Sequence, residues 1–204
     1  MSSGDRTDFN PYLADKTGGK PPAASAGGNA PGPDLPYNSR QLAQFMAERS
    51  IPGEIIHCPE PTPTVQAAAR VMRVAEEQIA KTVLFTVSGN PVAVIACGTR
   101  PIDQKRIAAR FGVGRKQVKL AGPEMVLTVT GYPAGTVPPF GHRQKIQTLI
   151  DPRVIEQTQI FAGGGEEDAL VRLNPAVILQ ATGGEVHVVA AGLPEEVDNS
   201  GLGR

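Results

Sequence analysis

Two apolar stretches, Ala80 to Val87 and Val92 to Cys97, are separated by Ser88-Gly89-Asn90 and a single proline, Pro91. Both are rich in β-branched residues, so the spacing predicts two strands joined directly by a tight turn. Neither stretch alternates polar with apolar residues. A strand without that alternation is covered on both faces, which puts the pair in the middle of a sheet. No other feature of the 204 residues limits the fold as much.

The flanking pattern fills in the layers. Leu42, Phe45 and Met46 fall at helical spacing in a segment from Gln41 to Arg49, with Ser39 as a candidate N-cap and Pro52-Gly53 as its stop. Glu54 to His57 reads as a short strand ended by the run from Pro59 to Pro63. Thr64 caps a second helix whose face is Val65, Ala68, Ala69 and Met72. Ile102 to Phe111 is a helix stopped by Gly112, and Glu124 to Val129 a helix or irregular turn. Strands follow at Ile146 to Ile150, Thr158 to Ala162, Ala169 to Leu173 and Val186 to Ala190, with a helix starting at Pro175 behind Asn174. Tightly joined strand pairs interrupted by helices predict a mixed α/β domain and not a doubly wound one.

Composition bounds the rest. Residues 1–36 hold six glycines and six prolines, too polar and too punctuated to bury a core. We therefore expect a disordered tail over 1–37, one domain over 38–191 and a flexible tail over 192–204. Forty per cent apolar residues and a formal charge of zero fit a soluble globular protein. No signal pattern or membrane-length apolar run is visible, and the expected location is cytoplasmic, with no membrane partner. Four per cent aromatic residues and no Trp argue against a binder that stacks single-stranded bases. Cys58 and Cys97 stand alone, without CxxC spacing or clustered His, and read as reduced and buried. No metal site is visible.

Candidate chemistry gathers around Gly131 to Gly141, where three glycines and three prolines fall in eleven residues. Proline stiffens the chain and glycine admits close approach to the backbone. The N–H groups of Gly135, Thr136, Val137 and Gly141 could together cradle an anion or a developing oxyanion; the plainer alternative is a structural Ω-type loop. Lys81 is the one charge between Gln78 and Cys97: either a lysine snorkelling from a strand end or a cation at a pocket rim. Asp151 could accept from a substrate amine or simply cap a helix ahead of Pro152. His142 could be a base, although its neighbours Arg143 and Lys145 suggest a surface residue. From Arg100 to Lys119 there are seven basic residues against one acid. Arg100, Lys105, Arg115 and Lys116 are the candidates there for phosphate contact, and a solvated face is the alternative.

Four segments together carry a resemblance: Ile79 to Phe85 (Ile-Ala-Lys-Thr-Val-Leu-Phe), Gly131 to His142, Leu149-Ile150-Asp151, and Phe161-Ala162-Gly163-Gly164-Gly165. Over roughly Arg40 to Ala190 the chain resembles the YbaK/aminoacyl-tRNA synthetase-associated domain family, stand-alone relatives of the editing domain of bacterial prolyl-tRNA synthetases. The resemblance implies a mixed α/β fold with a central, largely antiparallel, barrel-like sheet and surrounding helices. It implies metal-independent hydrolysis of mischarged aminoacyl-tRNA, with no cofactor, and an aminoacyl-tRNA synthetase as a second partner. Lys81 matches the family's functional lysine, and Gly135 to Pro139 its Gly-x-x-x-Pro loop for the aminoacyl ester and 3′-terminal adenosine. On that basis Lys81 and Gly135 are expected to be catalytic, and Thr136, Val137 and Pro139 to bind substrate. Asp151 and Gly163 match positions lining the family's pocket. Ala162 stands where some cysteinyl-tRNA(Pro) deacylases carry serine, a departure that argues against that subgroup. A non-catalytic tRNA-binding or small-molecule-binding regulatory module on the same fold is the alternative.

Overall fold

The computed structural model describes residues 35–192. The expected tails lie outside the described residues, except at their inner ends. There Tyr37, assigned to the tail by composition, packs edge-on against Tyr132 with ring centroids 5.5 Å apart. Its N–H donates to Gly131 O at 2.7 Å.

Helix α1 spans Ser39–Glu48. Its cap is Asn38 and not Ser39: Asn38 Oδ1 accepts from Arg40 N, and Gln41 Oε1 accepts from Asn38 N, each at 2.9 Å. A capping box satisfies both ends of the exchange, which a lone serine would not. Strand β1 is Glu54–His57, and α2 is Val65–Met72 with Thr64 as its cap, as expected. The predicted hairpin is β2, Ala80–Val87, and β3, Asn90–Cys97, paired antiparallel. Helix α3, Gln104–Arg110, is followed by a 3-10 turn at Arg115–Gln117, then β4, Val118–Leu120, and α4, Pro123–Thr130. Sequence periodicity gave no sign of β4, which is too short to show one. The remaining elements are β5 Gln147–Ile150, α5 Pro152–Ile155, β6 Ile160–Gly163, β7 Ala169–Leu173, α6 Ala176–Thr182 and β8 Glu185–Val186.

These strands form two sheets, a five-stranded one in the order β4-β2-β3-β5-β8 and a three-stranded one in the order β1-β7-β6. The small sheet is antiparallel throughout. In the large one β4, β2 and β3 are antiparallel, while β3/β5 and β5/β8 are parallel. Every residue of β3 from Val92 to Cys97 is buried, as the missing alternation requires. One face of the large sheet presents Phe85, Val94, Ala96 and Leu149 to Ile107 and Ala108 of α3. The opposite face presents Ile95, Cys97 and Ile150 to Ile160, Val171 and Leu173 of the small sheet, and to Leu42 and Met46 of α1.

The sheets do not close into the expected barrel. A parallel bridge, Ile79 to Phe161, joins them just before β2, and among the described residues no ladder continues it along β2 and β6. The expected last strand also differs. It shortens to Glu185–Val186; beyond it Val189 and Ala190 give their N–H groups to Asp151 Oδ2, at 3.1 and 2.9 Å, and Ala190 makes only an isolated antiparallel bridge with Ile102.

Candidate functional site

Beside β2, past the Ile79–Phe161 bridge, lies a cavity of about 820 Å³. Its walls are β2 from Ala80 to Leu84, the loop Ala134 to Val137, Gly163, Glu166 and Glu167, the segment Pro61 to Val65, and Leu120 and Ala121 at the end of β4. Five consecutive β2 residues line it, so the strand meets the cavity with its edge and not with one face.

Opposite β2 the loop is fixed from several sides. Thr136 donates both N–H and Oγ1–H to Pro133 O, at 3.1 and 3.0 Å. Thr136 O accepts from Gly165 N at 3.0 Å. Pro138 O accepts from His142 Nε2 at 2.8 Å, and Phe140 stacks on Phe45 of α1 with centroids 5.9 Å apart. The four-amide cradle expected from the sequence is therefore smaller. The Thr136 N–H is engaged in its own turn, and Gly141 packs beside Leu42 and Phe45 of α1. The N–H groups of Gly135 and Val137 remain, with no acceptor among the described residues. Gly135 is exposed, has φ 95°, and has open space where a Cβ would be.

Lys81 also lines the cavity, but its ammonium donates to Gly98 O at 3.0 Å and Arg100 O at 2.7 Å. Burial pushes its pKa down, Cys97 acts against that shift, and Arg153 adds to it. Both cysteines are free and buried, and burial pushes their thiols up, which disfavours the thiolate a nucleophile needs. His142 is partly buried, and desolvation lowers its pKa despite the bond to Pro138. His57, Glu166 and Asp168 bring three possible ligand atoms within 4.8 Å of one another. Exposed carboxylates gather in this way without a metal, and the grouping alone assigns none.

Residues 59–181 match the aminoacyl-tRNA editing domain family. The chain belongs to that family. The proline–tRNA ligase of Maridesulfovibrio salexigens is 31% identical over 110 residues, 53% of this chain but 18% of that protein. An uncharacterized protein, YwhH, of Bacillus subtilis is 29% identical over 113 residues, 55% of this chain and 70% of that one. Among solved structures, a candidate trans-editing enzyme for prolyl tRNA synthetase superposes with a TM-score of 0.70 at 25% identity, covering 76% of this chain and 97% of the other. The matches to proline–tRNA ligases span only about a fifth of those enzymes, 18% and 22% in two of them.

Within this editing domain the cavity brings together Lys81, Gly135, Thr136, Val137 and Gly163. It does not include Pro139, which is buried behind the loop, or Asp151. Asp151 is fully buried and takes the other role open to it, capping α5 through Arg153 N at 3.2 Å. It also pairs with Arg153 Nε at 3.0 Å and holds Val189 and Ala190. No acceptor capacity is left for a substrate amine.

Of the basic run, Arg100, Lys105, Arg115 and Lys116 are exposed and form no ion pair among the described residues, whereas Arg110 is paired with Glu185. The run leads through Lys119 to the cavity, because Leu120, 62% exposed, is part of its rim. Sequence reasoning missed Thr82, Glu166, Glu167 and Leu120. Thr82 adjoins Lys81 and the two glutamates follow the glycine run, but only the pairing of distant strands puts them on one cavity. Among the described residues no helix is long and apolar enough to cross a membrane.

Proposed function

We propose that the domain hydrolyses the ester of a mischarged aminoacyl-tRNA. The observation that carries this reading is the pair of acceptor-free amides at Gly135 and Val137, on a braced loop facing a cavity. Such donors stabilise the oxyanion of a tetrahedral intermediate without moving during the reaction. Water attacks the ester carbon, the bond from that carbon to the ribose oxygen breaks, and the ribose oxygen takes the proton. No enzyme nucleophile is needed: the ester is already activated, and orientation supplies much of the rate. In this reading Lys81 keeps the 98–100 turn in place beside the site, and Thr136, Val137 and Gly163 shape the substrate wall. Arg100, Lys105, Arg115 and Lys116 meet the tRNA phosphates, and the reaction takes place in the cytoplasm on tRNA released by a synthetase.

The test is single-turnover deacylation of Ala-, Ser-, Thr- and Cys-charged tRNA. Hydrolysis of at least one ester well above its spontaneous rate is expected. Salt-sensitive tRNA binding without hydrolysis of any of them would make the domain a binding module instead.

A further inference from the structure

β2 passes the cavity with one edge bare. Ser88 and Gly89 have φ of 49° and 89°, the signature of a two-residue turn that makes Val87 and Asn90 a hydrogen-bonded pair. Alternation then commits Phe85, Val83 and Lys81 to β3 and turns the main-chain groups of Leu84 and Thr82 to the other edge. The bond from Ala121 N to Leu84 O, 2.9 Å, fixes that parity. On this edge β4 pairs with Phe85, Thr86 and Val87, and the bridge to Phe161 involves Ile79. Between them the N–H and C=O of Thr82 have no partner strand among the described residues. Thr82 lines the cavity, and its hydroxyl is also buried without a partner. Interior polar groups of this kind are rare unless a ligand or water completes them.

We infer that this bare edge at Thr82 holds the aminoacyl group by its own main-chain atoms, as a single residue added to the sheet. The inference rests on the deacylase reading. An aminoacyl ester carries a donor, the α-ammonium, and an acceptor, the carbonyl oxygen, on adjacent carbons. Opposite Thr82 that pair reproduces one hydrogen-bonded pair of an antiparallel ladder. The ammonium donates to Thr82 O, and the carbonyl oxygen of the ester accepts from Thr82 N–H. A carbonyl oxygen accepts two hydrogen bonds, so its second lone pair stays open to the loop amides. The charge balance agrees: Glu166 and Glu167 line the same cavity and form no ion pair among the described residues, which favours a cationic group there. The amino acid's side chain then plays no part in this contact.

Two measurements on the full chain test it. The first compares the aminoacyl-tRNA that the deacylation panel identifies with its α-hydroxyacyl counterpart, made by deaminating the charged tRNA. Each rate is divided by its spontaneous rate. Replacing the ammonium should reduce the enzymatic acceleration by about 10- to 100-fold, the usual range for losing a hydrogen bond from a charged group. The second uses Thr82→Pro, which removes the N–H at a strand edge where proline is tolerated. The folded variant, checked by circular dichroism, should lose about 100-fold in turnover of the aminoacyl ester. Equal acceleration of the two esters, or a folded Thr82→Pro at the wild-type rate, overturns the inference. If Thr82→Pro does not fold, the ester comparison on the unaltered protein decides alone. A wild-type protein that accelerates no ester defeats the deacylase reading itself, a separate outcome.

Discussion

A methyl group on Gly163 would lie 2.6 Å from Val137 O. The same methyl would be 2.7 Å from Thr136 O, so β6 and the substrate loop are in backbone contact with no room for a side chain. Gly163→Ala must therefore move one of them. We expect destabilisation of about 1–3 kcal/mol, the range for overpacking, and a large fall in deacylation. Thermal melting and single-turnover kinetics check both. A destabilised variant with an unchanged rate would separate loop position from chemistry.

Gly135 differs from Gly163, because nothing lies within 4 Å of a Cβ there. Its constraint is conformational: φ of 95° is a region that costs a non-glycine residue about 1–3 kcal/mol. Gly135→Ala should distort the two open amides and lower the rate about 100- to 1,000-fold, as for loss of an oxyanion donor. Thr136→Val removes only the bond from Oγ1 to Pro133 O, and its kinetic loss should be much smaller. A folded but inactive Thr136→Val, with an acyl-enzyme trapped in the wild type, would make the hydroxyl a nucleophile.

Lys81 joins β2 to the turn after β3 through two carbonyls, Gly98 O and Arg100 O. Lys81→Ala should lose both the deacylation and the order of that turn. Hydrogen exchange at the Gly98 and Arg100 amides, measured beside the rate, distinguishes a lysine that acts through the turn from one that meets substrate directly. Full activity in the variant would remove it from both roles.

The Asp151 carboxylate is opposed by burial, which raises its pKa. Hydrogen bonds from Arg153, Ala190 and Val189 and the Arg153 charge outweigh that, and the net shift is downward. A carboxylate held below its unfolded value, about 3.9, adds stability above that pH and loses it as pH falls through the folded value. Asp151→Asn should therefore be less stable at neutral pH and show a flatter acid limb in melting curves. Asp151→Ala, which strands Arg153, should cost about 3–5 kcal/mol. An acid limb identical to wild type in Asp151→Asn would contradict this account.

If Arg115 and Lys116 meet phosphates, tRNA binding should weaken steeply with salt. The double substitution to Ala should flatten the log–log slope by close to two contacts' worth, about 0.7–0.9 each. An unaltered slope returns the pair to a solvated face.

Whatever depends on neighbours along the chain was legible in the residues alone. The β2–β3 hairpin was legible because a turn of Ser88 and Gly89 and unbroken apolar runs are local signals. The Thr64 cap, the Gly112 stop and the stiff loop around Gly135 were legible for the same reason. Lys81, Gly135, Thr136, Val137 and Gly163 could be nominated from their motifs, and they do share one cavity. Tertiary structure alone decided what each of them is free to do. Strand pairing across more than eighty residues leaves β2 bare at Thr82, because its pairing with β6 is confined to the bridge from Ile79 to Phe161. The same packing takes Asp151 away from the site by giving it Arg153, Val189 and Ala190, and gives the Lys81 ammonium to two carbonyls. Hydrogen-bond capacity is finite and is used up by whichever partners the fold brings within reach, and no local pattern of residue types records which partners those are.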